Sequence, residues 1–197
     1  MRPVDRAVLA GNAPEVAPRL LGAVLRVGRC AGRLVEVEAY TADDPASHSH
    51  RGRSPRNASM FGPPGTLYVY LSYGIHLCAN VVTGAEGDGQ AVLLRAAVPL
   101  EGIDAMRARR GPVPDRRLTD GPGKLCQAFG IGRHHDGLDV CAGASAHGPD
   151  EVQLLDDGTP PPTDVVVGPR VGITRATDRP WRWRAPAAWA HAPQWSQ

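Results

Sequence analysis

The sequence predicts a single α+β domain over residues 1–197: a curved, mainly antiparallel sheet, partly open and barrel-like, with flanking helices and a protruding β-hairpin. The 197 residues suffice for one domain with a core, but not for two ordinary ones. The 23 glycines and 19 prolines argue against a helical bundle. Strand patterns follow one another with short turns between them, which favours an antiparallel sheet over a doubly wound parallel one.

The first 65 residues contain one helix, one strand and one long loop. The run Asn12-Ala13-Pro14-Glu15 has the form of a capping box and predicts a helix that continues through Leu21. Residues 33–41 alternate as a strand does. Residues 42–65 contain four prolines and form a loop, and a loop of this length is usually functional or disordered.

Most of the later elements are strands. The alternation typical of strands appears in residues 66–72, 75–82, 90–98, 151–155 and 164–173. The first two of these segments are separated only by Tyr73-Gly74, which predicts a hairpin. Helical patterns cover residues 101–110 and 124–129, and the second follows directly on Gly121-Pro122-Gly123.

The formal net charge of +2 hides an uneven distribution of charges. Residues 134–168 contain seven acids and neither arginine nor lysine, so the rest of the chain carries a net charge of +9. Of the 22 cations, 21 are arginines, whose planar forks match phosphate groups. The basic part could therefore bind a polyanion, although a solvated arginine-rich surface explains the same composition.

The sequence favours a cytoplasmic protein. No apolar run approaches the roughly 18 residues that span a bilayer, so we expect no membrane partner. Charges interrupt the first 25 residues, and we expect no secretory signal there. The four cysteines lack the spacing of a zinc site and are expected to be buried, reduced thiols.

The strand at residues 33–41 places Glu36, Glu38 and Tyr40 on one face, because alternate residues of a strand point the same way. Two carboxylates and a phenol on one face have two explanations. They fit the solvated face of an edge strand, and they also fit a catalytic base beside a ring that packs a planar substrate.

The predicted hairpin contains three of the four tyrosines, Tyr68, Tyr70 and Tyr73. β-Propensity and core packing explain Tyr68 well. They do not explain Tyr73, which falls at the exposed turn. A protruding aromatic ring beside a basic loop is suited to wedging a base pair apart.

The loop at residues 47–57 carries three arginines and two histidines without one acid, a composition that suits phosphate binding. Its His48-Ser49-His50 pair and the later His134-His135-Asp136 run also suggest metal ligands. Neither group is completed by further ligands at metal-site spacing, so we expect no metal.

The turn Gly121-Pro122-Gly123-Lys124 is similar to the end of a phosphate-binding P-loop. It lacks the Ser or Thr that follows the lysine in that motif, and is therefore not a Walker sequence. A glycine-rich turn into a helix N-terminus can still bind one phosphate, including one from DNA. Lys124 is also the only lysine. Because a Schiff-base mechanism needs an amine, its suitability for phosphate favours water as the nucleophile in any attack on a sugar.

In this order, the motifs resemble those of the alkyladenine (3-methyladenine) DNA glycosylase family. The resemblance covers about residues 16–184 and leaves a poorly matched tail at about 185–197. It rests on Leu34-Val35-Glu36-Val37-Glu38-Ala39-Tyr40, Ala46-Ser47-His48-Ser49, Pro55-Arg56-Asn57, Met60-Phe61-Gly62-Pro63-Pro64-Gly65-Thr66-Leu67-Tyr68-Val69-Tyr70, Tyr73-Gly74, Asn80, Val92-Leu93-Leu94-Arg95-Ala96, Gly121-Pro122-Gly123-Lys124-Leu125-Cys126 and Gly168-Pro169-Arg170-Val171-Gly172-Ile173.

The resemblance implies catalytic roles for three residues. Glu38 would be the general base that activates water for attack on C1′ of the deoxyribose. Arg95 and the backbone carbonyl of Val171 would help to hold that water. No cofactor and no metal would be needed.

The resemblance also implies how DNA is bound. The flipped base would stack among Tyr40, His48 and Tyr70, and the His48 backbone would read the edge of the base. Asn80 would crowd the amino group of guanine and so reject it. Tyr73 would enter the duplex in place of the flipped nucleotide. Further contacts to the DNA backbone or groove would come from Arg53, Ile75, His76 and Lys124.

The implied protein is a monofunctional, monomeric glycosylase of base excision repair that acts on double-stranded DNA containing alkylated or deaminated purines. It would be associated with the nucleoid of a bacterial-type cell during repair. Two alternatives stay open: a glycoside hydrolase that uses Glu36 and Glu38, and a non-catalytic nucleic-acid-binding module. The discriminating feature is whether Glu38 lies in a concave pocket between Tyr40, His48 and Tyr70.

Overall fold

Strands of a single antiparallel sheet make up most of the regular structure in residues 1–142 and 151–190, the part of the chain that the computed structural model describes. Nine strands are found in these residues: β1 (Arg2–Pro3), β2 (Val24–Val27), β3 (Cys30–Tyr40), β4 (Leu67–Ser72), β5 (His76–Thr83), β6 (Gln90–Glu101), β7 (Val152–Asp156), β8 (Val166–Gly168) and β9 (Arg182–Arg184). The α-helices in the same residues are α1 (Arg6–Leu9), α2 (Ala13–Val16), α3 (Ile103–Arg110), α4 (Pro122–Phe129) and α5 (Ala187–Ala190).

The sheet has the strand order β1-β7-β2-β3-β6-β5-β4, and every pairing in it is antiparallel. It curls into a half-barrel, so the predicted α+β class with a curved, partly open antiparallel sheet is confirmed. The two longest strands, β3 and β6, pair with each other in the middle. β4 and β5 form the predicted hairpin at one end of the order.

The glutamate-containing segment of β3 is not an edge of the sheet. Glu36–Glu38 pair with β6 on one side and with β9 on the other, and β9 pairs in turn with β8. The register between β3 and β6 shifts on both sides of Glu36, so both strands are irregular beside it. The explanation of Glu36 and Glu38 as a solvated edge is therefore wrong, because the edge is covered by residues 182–184, which are distant in sequence.

The hydrophobic core joins the sheet to α4. Leu34 and Leu94, from the two central strands, belong to the same buried cluster as Leu125 and Phe129 of α4. This helix packs against β5 and β6. The packing brings the N-terminus of α4 close to the hairpin.

The helix predicted from Asn12 through Leu21 is shorter than expected. α2 covers only Ala13–Val16 and passes into a 3₁₀ turn at Ala17–Leu20, which includes Pro18. Proline cannot donate the hydrogen bond that an α-helix requires there. Asn12 is the N-cap residue, but its side chain makes no capping bond, and the Ala13 N–H donates to the distant Gln90 side chain instead.

The strand predicted over residues 164–173 is also mostly absent. Only Val166–Gly168 pair as β8. From residue 169 the chain leaves the sheet, because Arg170 is buried in an ion pair with Asp44 and the Val171 N–H donates to Glu38. Contacts distant in sequence thus override the local alternation.

Three acids of the segment at residues 134–168 pair with arginines that are distant in sequence. Asp139, Asp156 and Asp157 form ion pairs with Arg6, Arg2 and Arg33, respectively. β7, which ends at Asp156, lies next to β1, the strand at the opposite end of the order from the hairpin. Asp150 of the same acidic segment lies outside the described residues.

All four cysteines are free, as expected; three are buried, whereas Cys141 is partly exposed. Among the described residues, no helix is long and apolar enough to cross a bilayer.

Candidate active site

A fully buried carboxylate, Glu38, lies at the centre of the candidate site. Its Oε1 accepts a hydrogen bond from the Val171 backbone N–H at 2.8 Å. Its Oε2 accepts from the Tyr40 hydroxyl at 2.9 Å and from Arg95 Nη1 at 3.2 Å. Three donors use three of the roughly four acceptor positions of a carboxylate, which leaves one for a water molecule.

Burial raises the pKa of Glu38 above its ordinary value, because the charged form loses its hydration. The Arg95 charge, the Val171 N–H and the Tyr40 hydroxyl act against this effect and favour the ionised form. The site therefore holds a carboxylate that is desolvated but surrounded by donors, which is a suitable environment for a general base.

The second glutamate of the strand has a different position. Glu36 Oε1 accepts from Arg95 Nε at 2.8 Å and lies 3.7 Å from Arg182 Nη1. Glu36 and Glu38 thus share one guanidinium on the same face of β3. Two carboxylates on one side of an arginine cannot flank a glycosidic bond, as a pair of hydrolytic carboxylates does. This geometry argues against the glycoside hydrolase alternative.

A cavity of about 470 Å³ opens beside Glu38. Glu38 does not line it directly but lies behind Tyr40, Arg95 and Val171, which do. The cavity brings together seven of the residues predicted from the sequence: Tyr40, His48, Tyr70, Tyr73, Asn80, Arg95 and Val171. The predicted rings therefore converge on one concave site, and are not dispersed over an open surface as a simple binding module would have them.

The rings of the cavity are in contact with one another. His48 and Tyr70 meet edge to face with centroids 4.4 Å apart, and Tyr68 stacks on Tyr70 at 5.5 Å. A base inserted between two rings needs about 7 Å, twice the van der Waals contact of about 3.5 Å. The structure thus has no open slot between His48 and Tyr70, and these rings form one wall. One face of the Tyr40 ring is covered by the Arg170 guanidinium, 4.6 Å from the ring centroid.

His48 is held at the cavity by Tyr68 of β4 and by Asn57 of its own loop. Its Nδ1 and the Tyr68 hydroxyl are 3.0 Å apart, and its backbone carbonyl accepts from Asn57 Nδ2 at 2.9 Å. Burial and the nearby Arg56 lower the pKa of His48, so its neutral form is favoured. Burial also raises the pKa of Tyr68 to about 12.

Asn80 is buried at the cavity and has a defined orientation. Its Nδ2 donates to the Tyr68 backbone carbonyl at 3.2 Å across the hairpin. The amide cannot turn away from the cavity without losing this bond. Asn80 thus forms a fixed part of the cavity wall.

The hairpin tip presents an exposed ring. Tyr73 is 82% exposed, and its φ of 50° lies in the left-handed region, where a bulky residue is rare. Its hydroxyl donates to the Gly172 carbonyl at 3.1 Å, so the side chain contacts the segment that contains Val171. Ile75, 73% exposed, lies beside it on the same turn. The tip thus combines local backbone strain with exposed apolar surface, as functional turns often do.

The other residues predicted to contact DNA lie outside the cavity. Arg53 is exposed in the loop at residues 47–57. The exposed His76 packs against the N-terminus of α4, where a Cβ on Gly123 would lie only 2.8 Å from the His76 Cβ. Glycine thus permits this close approach. Lys124 pairs with Asp120 at 2.8 Å, an exchangeable surface contact.

The sequence did not reveal two parts of the site. Tyr68 is buried in the core, as predicted, but its hydroxyl also pairs with His48 at the cavity, a contact that the sequence did not reveal. The alternation that places Tyr68 and Tyr70 on one face was the available signal. The buried Arg170–Asp44 ion pair had no local signal, because its partners are 126 residues apart. The contact between the Val171 N–H and Glu38 is a further one, because the resemblance implies only that the Val171 carbonyl helps to hold the water.

Comparisons with known proteins point to one family. A family model described as methylpurine-DNA glycosylase matches residues 7–188. A relative from Burkholderia lata is 52% identical over 187 residues, which cover 93% of this chain and 87% of the relative. One from Rhodopseudomonas palustris strain HaA2 is 52% identical over 180 residues, 91% of this chain and 85% of the relative. Both carry the provisional name 3-methyladenine DNA glycosylase.

Proposed function

This chain belongs to the methylpurine-DNA glycosylase family, and from that premise we propose that it flips alkylated purines, 3-methyladenine and related bases, out of duplex DNA and releases them with a water activated by Glu38. The family makes it a DNA glycosylase, a hydrolase of N-glycosyl bonds that acts in DNA repair. The proposal that Glu38 activates the water rests on the position of Glu38, which is buried behind a ring-lined cavity and held by three donors.

The chemistry of alkylated purines suits this site. Alkylation at N3 or N7 makes the base cationic and therefore a good leaving group. The bond then breaks with oxocarbenium-like charge on the sugar, which a nearby carboxylate stabilises. Tyrosine rings favour a cationic base through their electron-rich faces. One base and no metal suffice for such a reaction.

Glu38 would take the proton of the attacking water with its remaining acceptor position. Arg95 favours the ionised form of Glu38 and, at the cavity wall, can also contact the water. The Val171 N–H orients the other carboxylate oxygen. The proposed role of the Val171 carbonyl in binding this water stays a prediction.

The flipped base would lie between the His48–Tyr70 wall and the Tyr40 ring, because His48 and Tyr70 leave no slot between themselves. The His48 N–H would read the edge of the base. Asn80, held by the Tyr68 carbonyl, would oppose the amino group of guanine. Flipping costs a few kcal/mol and least at damaged pairs, which adds selectivity.

Tyr73 would fill the space left by the flipped nucleotide. Its exposure on a protruding turn supports this role, because the ring can enter a duplex without unfolding the hairpin. Arg53, Ile75, His76 and Lys124 would contact the backbone or groove around it. We expect the protein to act as a monomer, in the cytoplasm and on the nucleoid.

Base release from defined duplexes tests this proposal. The wild type is given duplexes containing 3-methyladenine, 7-methylguanine, 1,N6-ethenoadenine or hypoxanthine, and the free base is measured. Glu38→Gln should abolish release of 3-methyladenine and keep duplex binding. Glu36→Gln is the matched control, because it also removes a carboxylate from Arg95, and should keep most of the release. Full activity of Glu38→Gln would refute the mechanism.

A trapping experiment tests the monofunctional mechanism. Borohydride captures a Schiff base between an amine and the sugar, and Lys124 is the only lysine. We expect no trapped protein–DNA adduct. An adduct at Lys124 would show that the enzyme also attacks the sugar through an amine.

A further inference from the structure

The buried ion pair between Arg170 and Asp44 has no role in the chemistry proposed above. We propose that Arg170 is a positioning residue: its guanidinium holds the Tyr40 ring and the backbone before Val171 in place around Glu38. This inference rests on the proposed function, because it concerns the same base-release site.

Arg170 connects three segments of the chain that meet behind the cavity. Its Nη1 donates to the Ala39 carbonyl at 2.9 Å and to Asp44 Oδ2. Its Nη2 donates to Asp44 Oδ1 at 3.1 Å and to the Ala176 carbonyl at 3.4 Å. Ala39 lies between Glu38 and Tyr40 on β3. One side chain thus holds the strand carrying the carboxylate, the loop that follows it and the segment after β8.

The same guanidinium also fixes an aromatic ring of the cavity. Its carbon lies 4.6 Å from the Tyr40 ring centroid and 5.3 Å from that of Trp181. Arg170 therefore backs one face of Tyr40. This contact restricts the orientation of the Tyr40 ring, and so keeps its hydroxyl directed at Glu38 Oε2, to which it donates at 2.9 Å.

The position of Arg170 in the chain gives it a second route to Glu38. The N–H that contacts Glu38 Oε1 belongs to the peptide between Arg170 and Val171. A displacement of the Arg170 backbone therefore moves this donor directly. Two of the three donors to Glu38 thus depend on where Arg170 is held.

Stability alone is a poor reason for this arrangement. Both side chains are fully buried, and a buried ion pair is often no better for stability than apolar residues of similar volume. Arginine has what an apolar side chain lacks, a planar fork that bonds several acceptors in set directions. Asp44 neutralises its charge, so the fork can hold the site without adding a net cation beside a cationic base.

The test compares Arg170→Met with Arg33→Met in the full chain. Arg33 is the matched control, because it is a buried arginine that pairs with Asp157 at 2.6 Å and does not line the cavity. For each protein we measure the single-turnover rate of 3-methyladenine release against pH, binding to a duplex with an abasic-site analogue, and Tm. Arg170→Lys, which keeps the charge without the fork, provides the test if the methionine variant does not fold.

We expect Arg170→Met to slow release by about 100-fold, as a small misplacement of reacting groups does, with binding to the abasic duplex retained. The acid limb of the rate profile should move to higher pH, because two donors that lower the pKa of Glu38 are loosened. Around Glu38 these are the Tyr40 hydroxyl of β3 and the Val171 N–H. The other groups that face it, Glu36, Arg95, Tyr70 and Cys78, are unchanged.

Arg33→Met should keep the wild-type rate and acid limb at temperatures well below its Tm. A wild-type rate and limb in Arg170→Met would overturn the inference and leave the proposed function standing. Equal losses in the two variants at equal stability would also overturn it. No base release by the wild type would instead refute the proposed function, and this inference with it.

Discussion

Replacing Tyr40 by phenylalanine tests how far the Tyr40 hydroxyl favours the ionised form of Glu38. The substitution keeps the ring in the cavity and removes the hydroxyl that donates to Glu38 Oε2 at 2.9 Å. The Arg95 and Val171 donors remain. The ionised form of Glu38 accepts this bond more strongly than the protonated form does. Its loss therefore destabilises the ionised form more and raises the pKa of Glu38.

The size of the effect follows from the kind of bond that is lost. A hydrogen bond to a charged group contributes about 1.5–3 kcal/mol, which corresponds to about 10- to 100-fold in the balance between ionised and protonated Glu38. On the acid side of the profile the rate should fall by about this factor relative to the wild type. At higher pH, where Glu38 is ionised in both proteins, the two rates should converge.

The assay is single-turnover release of 3-methyladenine from a duplex over a range of pH. A base that is already cationic is used because its departure needs no further protonation, so the acid limb reports the general base. Tyr68→Phe is the control, since it removes a phenol of the same cavity that contacts His48 rather than Glu38. Coincident acid limbs for Tyr40→Phe and the wild type, or an equal shift in Tyr68→Phe, would refute the reasoning.

Three further predictions concern single side chains. Because burial raises the pKa of Glu38 in the folded state, the free energy of unfolding falls as pH rises through that pKa. Glu38→Gln should therefore raise Tm at neutral pH, and the gain should disappear in acid. A gain in Tm that is the same at every pH would contradict this. Tyr73→Ala should slow base release from duplexes far more than from single strands, because a wedge matters only where a base pair must be opened. Tyr73→Phe loses only the hydrogen bond to Gly172 and should release the base at nearly the wild-type rate. Equal losses of Tyr73→Ala on both substrates would exclude the wedge. Asn80→Ser should raise release of 7-methylguanine relative to 3-methyladenine by about tenfold, and an unchanged ratio in a competition assay would show that Asn80 does not exclude the amino group.

Patterns over a few residues predicted much of the fold. The alternation in residues 66–72 and 75–82 gave the hairpin, and Tyr73-Gly74 gave its turn. The short strands β2 and β9 were missed, because their place in the sheet depends on pairing with β3 rather than on their own composition. Residues 169–173 were predicted as part of a strand because their composition alternates locally. They do not pair in the sheet, because Arg170 binds Asp44 and the Val171 N–H donates to Glu38.

In the candidate site, too, some features follow from local sequence and others only from the packing of distant segments. The sequence by itself determined which side chains are available: a carboxylate and a phenol on one face of a strand, a ring at a tight turn and a lysine that occurs once. These follow from residue identity and from backbone geometry that repeats every two residues. Only the tertiary structure decided that Glu38 is buried, that Glu36 shares its arginine, and that the peptide before Val171 reaches across 133 positions to a carboxylate oxygen. Burial and long-range hydrogen bonds are properties of the packed chain, since they depend on which segments exclude water from one another. The carboxylate of Glu38 is therefore fixed by residue identity, whereas its buried, donor-rich environment exists only in the fold.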